Sequence, residues 1–162
     1  MPIYHHPTPI GTAVITEQDG YITAISVNGD DQPTNIDAPN QTLLTAIEQL
    51  DEYFAGKRLV FDLPLKPEGT RFQQEVWQHL QTIPFGSTVT YTQQSRQMQQ
   101  PLAIRAIAAA NGKNKLWIVI PCHRVIGSGG ELTGYAGEIW RKKWLLEHEA
   151  KIAGVGQLSL LL

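Results

Sequence analysis

The only cysteine of this 162-residue chain is followed directly by a histidine and an arginine, in the order Cys122-His123-Arg124. A thiolate is a strong nucleophile, an imidazole exchanges its proton near neutral pH, and a guanidinium is a permanent cation. No second cysteine is available for an internal disulfide, and no Cys/His spacing typical of a zinc site includes Cys122. Cys122 is therefore either a small packing residue or a reactive thiol, and its neighbours favour the reactive thiol.

A reactive Cys122 requires a group that removes or offsets its proton. His123 is adjacent, but neighbouring side chains of an extended chain point to opposite sides, so the pair needs a turn or a bridging water. A histidine that acts as a base is normally oriented by a third group. Glu149 is the first candidate for that group, and Glu131 and Glu147 stay open on spacing alone.

Charge is distributed unevenly along the chain, although its net charge is only −2. Residues 1–69 contain ten acidic and three basic residues, and no acidic residue occurs between Glu75 and Glu131. Such a segment indicates either a solvated basic face or a surface that contacts phosphates. The basic residues inside the acid-free interval are Arg96, Arg105, Lys113, Lys115 and Arg124. The overall pI of 6.2 argues against a protein that coats DNA non-specifically.

A proline- and glycine-rich segment, 62–69, coincides with the change of charge and predicts a linker between two domains. We assign residues 1–66 to a small structural α+β domain and residues 67–162 to the domain that carries the chemistry. In the first domain, alternating apolar residues predict strands over 11–16 and 21–27. An apolar stripe at helical spacing, ending before Gly56, predicts a helix.

The second domain is predicted to be mainly helical. Thr70 and Thr90 are each followed by glutamine three residues later, which predicts two capped helix starts. Pro101 is expected to open a further helix from Leu102 to about residue 110, and two short helices joined by a turn outline a helix-turn-helix. The alanines around Arg105 suit either close packing of helices or entry into a DNA groove.

Two more elements complete the prediction. The apolar run 118–120, which ends at Pro121, suits a buried strand leading into Cys122. The last helix is expected to be amphipathic. Its apolar stripe contains Trp140, Trp144, Leu145 and His148, and its other faces carry Arg141, Lys142 and Lys143. The closing segment 158–162 is too short for a membrane anchor and is expected to pack or fray.

No apolar segment approaches the length that spans a bilayer, and the N-terminus lacks the pattern of a signal peptide. A lone thiol without an export signal is typical of a reducing compartment. We therefore expect a cytoplasmic protein that makes no membrane contact.

Several motifs together resemble those of one protein family. The run 121–125, Pro-Cys-His-Arg-Val, is similar to the active-site signature of the O6-alkylguanine-DNA alkyltransferases, also called methylated-DNA–protein-cysteine methyltransferases. The other matches follow the family's order and spacing: Phe85-Gly86, Tyr91, Arg105-Ala106-Ile107, Ala110-Asn111-Gly112, Asn114, Ser128, Gly134-Tyr135-Ala136-Gly137 and Trp144 to Glu149. The resemblance covers about residues 70–150 closely and the preceding part only in outline.

The resemblance implies an α+β fold class, with a small, three-layer-like, ribonuclease H-like domain before the helix-turn-helix domain. It also implies direct-reversal DNA repair, in which the alkyl group on O6 of guanine in duplex DNA is transferred irreversibly to Cys122. Each molecule would act once, without metal or cofactor, as a monomer. Cooperative binding to DNA, activity on O4-alkylthymine and the preferred alkyl size stay open.

The resemblance assigns a role to each matching position. Cys122 would be the nucleophile, His123 would remove its proton through a water, Glu149 would orient the imidazole, and Asn114 would brace the turn. Tyr91 would help to rotate the damaged nucleotide out of the helix, which costs a few kcal/mol. Arg105 would fill the space left by the flipped base. The other residues expected to contact the DNA are Thr90, Ala106, Arg124 and Ser128. The residues expected to line the guanine pocket are Val125, Tyr135, Ala136 and Asn111.

Three other functions are compatible with some of these residues. A lesion sensor that flips damaged guanine without repairing it would lack the acceptor, so Cys122 argues against it. A helix-turn-helix regulator would need base-reading side chains, and the second helix offers no Asn, Gln or second Arg in its first turns. A cysteine hydrolase would need an oxyanion site, and none can be named. The chain departs from the family pattern at the polar residues Gln94, Ser95 and Gln97 and at Lys115, Trp117 and Glu138.

Overall fold

The computed structural model describes residues 2–29, 35 and 37–154. The chain divides into two compact units. The first comprises Met1–Glu68 together with Lys115–Trp117, and the second comprises Gly69–Asn114 and Ile118–Leu162. The first unit is built around a sheet and the second is mainly helical, so the predicted α+β class is confirmed. The C-terminal segment 158–162 lies outside the described residues.

The first unit contains an antiparallel sheet in the order β1-β2-β3: β1 Ile3–Thr8, β2 Gly11–Gln18 and β3 Tyr21–Asn28. The two predicted strands correspond to β2 and β3, whereas β1 was not predicted, because its His-His-Pro sequence lacks alternating apolar residues. Ile15 and Ile25 are opposite each other in the register, and neither side chain is exposed. These inward-facing residues form the core of the unit.

One helix packs on this sheet, α1 Gln41–Phe54. The Asn40 side chain accepts a hydrogen bond from the backbone N–H of Leu43 at the start of the helix. Leu50 is fully buried, and Gly56, with φ 76°, follows the last turn as the sequence predicts. The apolar stripe of this helix thus closes the core over β2.

A distant segment, Lys115–Trp117, completes the first unit. The backbone N–H of Ile25 donates to the carbonyl of Lys115 (2.8 Å), and that of Trp117 donates to the carbonyl of Ile25 (3.0 Å). Leu116, between them, is 1% exposed. Three residues from the second half of the sequence therefore pair with β3 and add an apolar side chain to its core.

The second unit begins with α2 Arg71–Leu80, whose first turn carries the predicted reciprocal capping bonds between Thr70 and Gln73. Trp77 is buried, and its indole N–H donates to the carbonyl of Ala110 (2.9 Å). Because Ala110 belongs to α4 Ile104–Gly112, this bond joins the two helices. The apolar stripe predicted for α2 is therefore the core-facing stripe.

The helix-turn-helix consists of α3 Tyr91–Gln97, capped by Thr90 as predicted, and α4. The predicted start of α4 at Leu102 is wrong. The turn requires more residues, because Gln99 adopts a left-handed conformation (φ 58°) and Ala103 is the first residue bordering the helix. Leu102 thus lies in the turn. The short strand β4 Val89–Thr90 immediately precedes α3 and pairs in parallel with β5 Val125–Ile126, which follows α4 in the chain.

The strand predicted over 118–120 is also wrong. These residues form a turn in which Ile118 has φ 72°, and Cys122–Arg124 form a single turn of 3-10 helix. Ile118, Val119 and Ile120 are nevertheless buried. An apolar run indicates burial but does not distinguish a strand from a buried turn.

The last helix, α5 Ile139–Ala153, buries Leu145 of the predicted apolar stripe but leaves Trp140 largely exposed. Trp140 is 48% exposed, whereas Lys142 and Glu149 are each 1% exposed. The inward face also carries charged groups that bind partners outside the helix: Lys142 donates to backbone carbonyls, and Glu149 accepts from His123 and Arg124. No helix in the described ranges is long and apolar enough to cross a membrane.

Candidate active site

Cys122 lies at the start of the 3-10 turn, where its half-buried thiol is held by one amide. Asn114 Nδ2 donates to the carbonyl of Ile120 (2.8 Å) and to Cys122 Sγ (3.3 Å). The backbone N–H of Arg124 donates to the carbonyl of Pro121 (3.1 Å) and closes the turn. The side-chain nitrogen of Asn114 thus holds the backbone of the turn and also contacts the sulfur.

His123, Arg124 and Glu149 form a buried charged cluster behind the cysteine. His123 Nε2 donates to Glu149 Oε2 (2.7 Å), and Arg124 Nε and Nη2 donate to Glu149 Oε1 and Oε2 (2.8 and 3.1 Å). Arg124 Nη1 also donates to the carbonyl of Ile83 (2.7 Å). Of the three carboxylates that spacing left open, the structure brings Glu149 to His123.

Protonation states in this cluster follow from burial and charge. Burial alone would raise the pKa of Glu149, but His123 and Arg124 outweigh that effect and hold it well below the usual range. Burial lowers the pKa of His123, against the opposing influence of Glu149. Glu149 is therefore ionised and His123 neutral at pH 7. The Nδ1 atom of His123 is buried and has no hydrogen-bond partner among the described residues, so it is the nitrogen that can accept a proton.

Lys142 is the functional residue that sequence reasoning missed. Its Nζ donates to the carbonyls of Val125 (2.6 Å) and Thr133 (3.0 Å), and burial lowers its pKa to about 8 although the nearby Cys122 opposes that shift. Placed among basic residues on an amphipathic helix, it looked like a solvated lysine. The one available signal was its position on the same helical face as Glu149, seven residues later.

Burial raises the pKa of Cys122, and two neighbours counteract that rise. The hydrogen bond from Asn114 and the positive charge of Lys142 both lower the pKa of the thiol. The thiol is thus predominantly protonated in the free protein at neutral pH, and it must lose its proton to attack. The site supplies a neutral imidazole in the adjacent position and a cation close to the sulfur.

Tyr91, the first residue of α3, is joined to the loop that precedes α5. Its hydroxyl donates to the carbonyl of Thr133 (3.2 Å), which also accepts from Lys142. Burial raises the pKa of Tyr91, and burial raises that of Tyr135 well above its usual value. Both phenols are therefore neutral hydrogen-bond donors.

The other residues predicted to line the pocket differ in their exposure and in their contacts. Val125 is fully buried beside the 3-10 turn, and Ala136 and Ser128 are exposed on the loops between β5 and α5. Asn111 is 6% exposed, and its amide is used by Gln94 in reciprocal hydrogen bonds. The side chain of Asn111 thus joins α3 to α4.

The predicted DNA-contacting residues divide into two groups. Arg105 and Ala106 are exposed on α4, and Thr90 uses its hydroxyl to cap α3. Arg124, expected on the DNA, is only 6% exposed and has its guanidinium on Glu149 and Ile83. That expectation for Arg124 is corrected, because its charge is already bound by Glu149 and it holds the carboxylate in place.

The fold and site define a helix-turn-helix protein with a nucleophilic cysteine, supported by an amide, a neutral imidazole and a buried carboxylate. Two family models match the chain. The DNA binding domain of 6-O-methylguanine DNA methyltransferase matches residues 71–151, and the ribonuclease-like domain of the same proteins matches residues 4–67. The chain therefore belongs to the 6-O-methylguanine DNA methyltransferase family, and the predicted resemblance is confirmed.

Individual relatives agree. The methylated-DNA–protein-cysteine methyltransferase of Shigella flexneri is 53% identical over 103 residues, which are 63% of this chain and 60% of that protein. The constitutive methyltransferase of Bacillus subtilis is 42% identical over 139 residues, which are 80% and 83% of the two chains. The Mycobacterium tuberculosis O6-methylguanine methyltransferase has a TM-score of 0.81 at 39% identity, with 92% of each chain covered. The Mycobacterium tuberculosis OGT in complex with DNA gives 0.80 at 40% identity, with 91% of this chain and 92% of that one covered.

Proposed function

We propose that this chain repairs duplex DNA by removing the alkyl group from O6 of a damaged guanine. The Cys122 thiolate attacks the alkyl carbon, a carbon–sulfur bond forms, and the bond from that carbon to O6 breaks. The guanine leaves as an anion and regains a proton at its ring nitrogen. The observation that carries the proposal is the bond from Asn114 to the sulfur, next to a histidine held by Glu149. The thioether has no easy return path, so each molecule acts once.

Proton removal is assigned to His123. Because Glu149 accepts from Nε2, the free Nδ1 can receive the thiol proton through a bridging water. The Glu149 carboxylate then stabilises the imidazolium that forms. Arg124 keeps Glu149 ionised, and Lys142 stabilises the negative sulfur. Burial raises the pKa of the thiol in the free protein, and His123, Glu149 and Lys142 act together to offset that rise.

DNA recognition is assigned to the exposed side of α4. Arg105 enters the minor groove and fills the space of the flipped nucleotide, while Ala106 allows close approach. Tyr91, a neutral phenol, supports the base as it leaves. Thr90 fixes the start of α3 beside the DNA, and Ser128, Val125, Tyr135 and Ala136 border the guanine. The solved Mycobacterium tuberculosis OGT in complex with DNA supports DNA as the partner.

The wider assignments follow from the same proposal. The first unit, Met1–Glu68 with Lys115–Trp117, is structural, and the second unit carries DNA binding and alkyl transfer. The substrate is double-stranded DNA containing O6-alkylguanine, the protein acts as a monomer, and the compartment is the cytoplasm, where a lone reactive thiol stays reduced. Neither a metal nor a cofactor takes part in the transfer.

The direct test is the intact mass of the protein after mixing with excess duplex that carries one O6-methylguanine. We expect one methyl group per molecule, located on Cys122 by peptide mapping, and no change with undamaged duplex. Cys122→Ala should gain no mass and still bind the duplex. Methyl uptake by Cys122→Ala would exclude the mechanism. Damage-dependent binding without any mass change in the unaltered protein would indicate a lesion sensor instead.

A second test isolates the role of Arg105. Arg105→Ala should slow methyl transfer from duplex DNA more than transfer from a free O6-alkylguanine base, because the free base needs no flipping. Equal losses on the two substrates would contradict insertion of Arg105 into the helix. Arg71→Ala, at an exposed position on α2, is the matched control and should leave the ratio of the two rates unchanged.

A further inference from the structure

Leu102 is a large apolar residue whose side chain is fully exposed, at 101% of its reference area. It lies in the turn of the helix-turn-helix, between Pro101 and the first residue bordering α4. Other exposed large apolar residues, such as Leu59 at 50%, are covered in part by the protein. Leu102 is therefore the residue of this turn whose whole apolar side chain is available to a binding partner.

The usual structural reason for an apolar residue at this position does not apply. A residue two places before the first helical residue often packs against the side chain five positions further on, and this contact fixes the entry of the chain into the helix. In α4 the second member of that pair is Ile107, which is fully buried in the core, whereas Leu102 is fully exposed. Leu102 thus contributes no such contact to the start of α4.

The neighbours of Leu102 indicate which partner it contacts. Arg105, Ala106 and Ala109 are exposed on α4 immediately after it. Ala106 and Ala109 project little, so Leu102 and Arg105 are the long side chains of this surface. The interval from Val76 to Gly130 contains no acidic residue, which favours a polyanion over a protein of mixed charge.

We propose that Leu102 is an apolar contact to the minor groove of duplex DNA, packed against a sugar or base edge beside the nucleotide that Arg105 displaces. The inference rests on the proposed function, because it places α4 on DNA. Minor-groove proteins use leucine in this way to hold a distorted step open. Leu102 and Arg105 then have separate roles. The guanidinium of Arg105 replaces the flipped base, and the Leu102 side chain excludes water from the adjoining base-pair step.

The test compares Leu102→Ala, Leu102→Met and Leu59→Ala, the last being a matched loss of an exposed leucine in the first unit. Affinity for an undamaged duplex is measured by fluorescence anisotropy over a range of salt concentrations. We expect Leu102→Ala to weaken binding by about fivefold at every salt concentration, because apolar area is lost but no phosphate contact. Leu102→Met should restore most of the affinity, and Leu59→Ala should not change it.

Methyl transfer from damaged duplex and from the free base is measured on the same variants. Leu102→Ala should lower the ratio of the duplex rate to the free-base rate by about fivefold. Unchanged duplex affinity and an unchanged ratio would overturn the inference. So would loss of a self-associated form without any effect on DNA, since Leu102 would then contact a second copy. Failure of the unaltered protein to gain a methyl group would overturn the proposed function alone, because the affinity measurement on undamaged duplex still decides the role of Leu102.

Discussion

Gln94 and Asn111 bind each other through two reciprocal amide hydrogen bonds, of 2.9 and 2.8 Å, between α3 and α4. Gln94 is fully buried and Asn111 is 6% exposed. Each amide thus has its donor and its acceptor used by the other, as a buried polar pair requires. The contact fixes α3 against the helix that carries Arg105, so it determines how Arg105 is presented.

Breaking this pair on one side should be worse than removing both members. Gln94→Leu or Asn111→Leu alone leaves a buried amide unpaired, which lowers the free energy of unfolding by about 1–3 kcal/mol. Gln94→Leu with Asn111→Leu should recover much of that loss, because no unpaired amide is left. Urea unfolding of the four proteins gives the coupling energy. Additive losses in the double variant would contradict the pairing.

Glu149→Gln tests the charged cluster at the active site. Removing the charge leaves Arg124 buried without its partner, so we expect the free energy of unfolding at pH 7 to fall by about 3 kcal/mol. Because the folded pKa of Glu149 is lowered, the contribution is complete above the unfolded value of about 4.3 and is lost as the pH falls below it. Urea unfolding at several pH values measures the difference.

The matched control is Glu147→Gln on the exposed side of the same helix. Glu147 pairs with Lys143 at 3.8 Å and its side chain is 58% exposed. We expect a change below about 0.5 kcal/mol at every pH, because water screens this pair. A Glu149→Gln effect that persisted unchanged at pH 3 would show that the carboxylate charge is not its cause.

Lys142→Met should make the Cys122 thiol harder to ionise. The charge of Lys142 lowers the thiol pKa, so its removal should slow alkylation by iodoacetamide in the part of the pH profile below about 8, where the lysine is protonated. Lys142→Arg should keep the profile closer to that of the unaltered protein. Lys143→Met, at a 40% exposed side chain one residue later, serves as the control. Identical profiles for Lys142→Met and the unaltered protein would exclude an electrostatic role.

Glu138→Gly should stabilise the protein. Glu138 adopts φ 72° and ψ 149°, a region that glycine occupies freely and other residues occupy at a cost of about 1–3 kcal/mol. Its carboxylate accepts from Trp140 Nε1 and Arg141 Nη1, but the side chain is 68% exposed, so these bonds contribute little. Thermal unfolding should rank Gly above Glu and Glu above Ala at this position. A lower melting temperature for Glu138→Gly would show that the two bonds outweigh the strain.

Local patterns predicted much of this fold, because they record interactions between residues close in sequence. The capped starts at Thr70 and Thr90 were read correctly, since a hydroxyl and a glutamine three residues apart can satisfy each other's backbone groups. The failures came from interactions over long distances in sequence. The face of α5 is decided by carbonyls of Val125 and Thr133 and by Arg124, which no periodicity within the helix can reveal.

The prediction of the site was also more complete for residues close in sequence than for distant ones. Cys122, His123 and Asn114 are close in sequence, and the family motif already grouped them. Spacing alone made Glu149 only the first of three candidates, because 26 residues separate it from His123, and the resemblance then assigned it to the imidazole. The resemblance placed Arg124 on DNA, and the structure shows its guanidinium bound to Glu149 instead.

The pairing of Lys115–Trp117 with β3 has a consequence for dividing the protein. No single cut separates the two units, since the chain returns to the first unit for three residues immediately after Asn114 and leaves it again before Ile118. A fragment starting at the linker would therefore lose the strand partner of Leu116 within a few residues of the reactive turn. When the N-terminal unit is exchanged between relatives, whether by recombination or by a cloning design, it keeps its full core only if these three residues are exchanged as well.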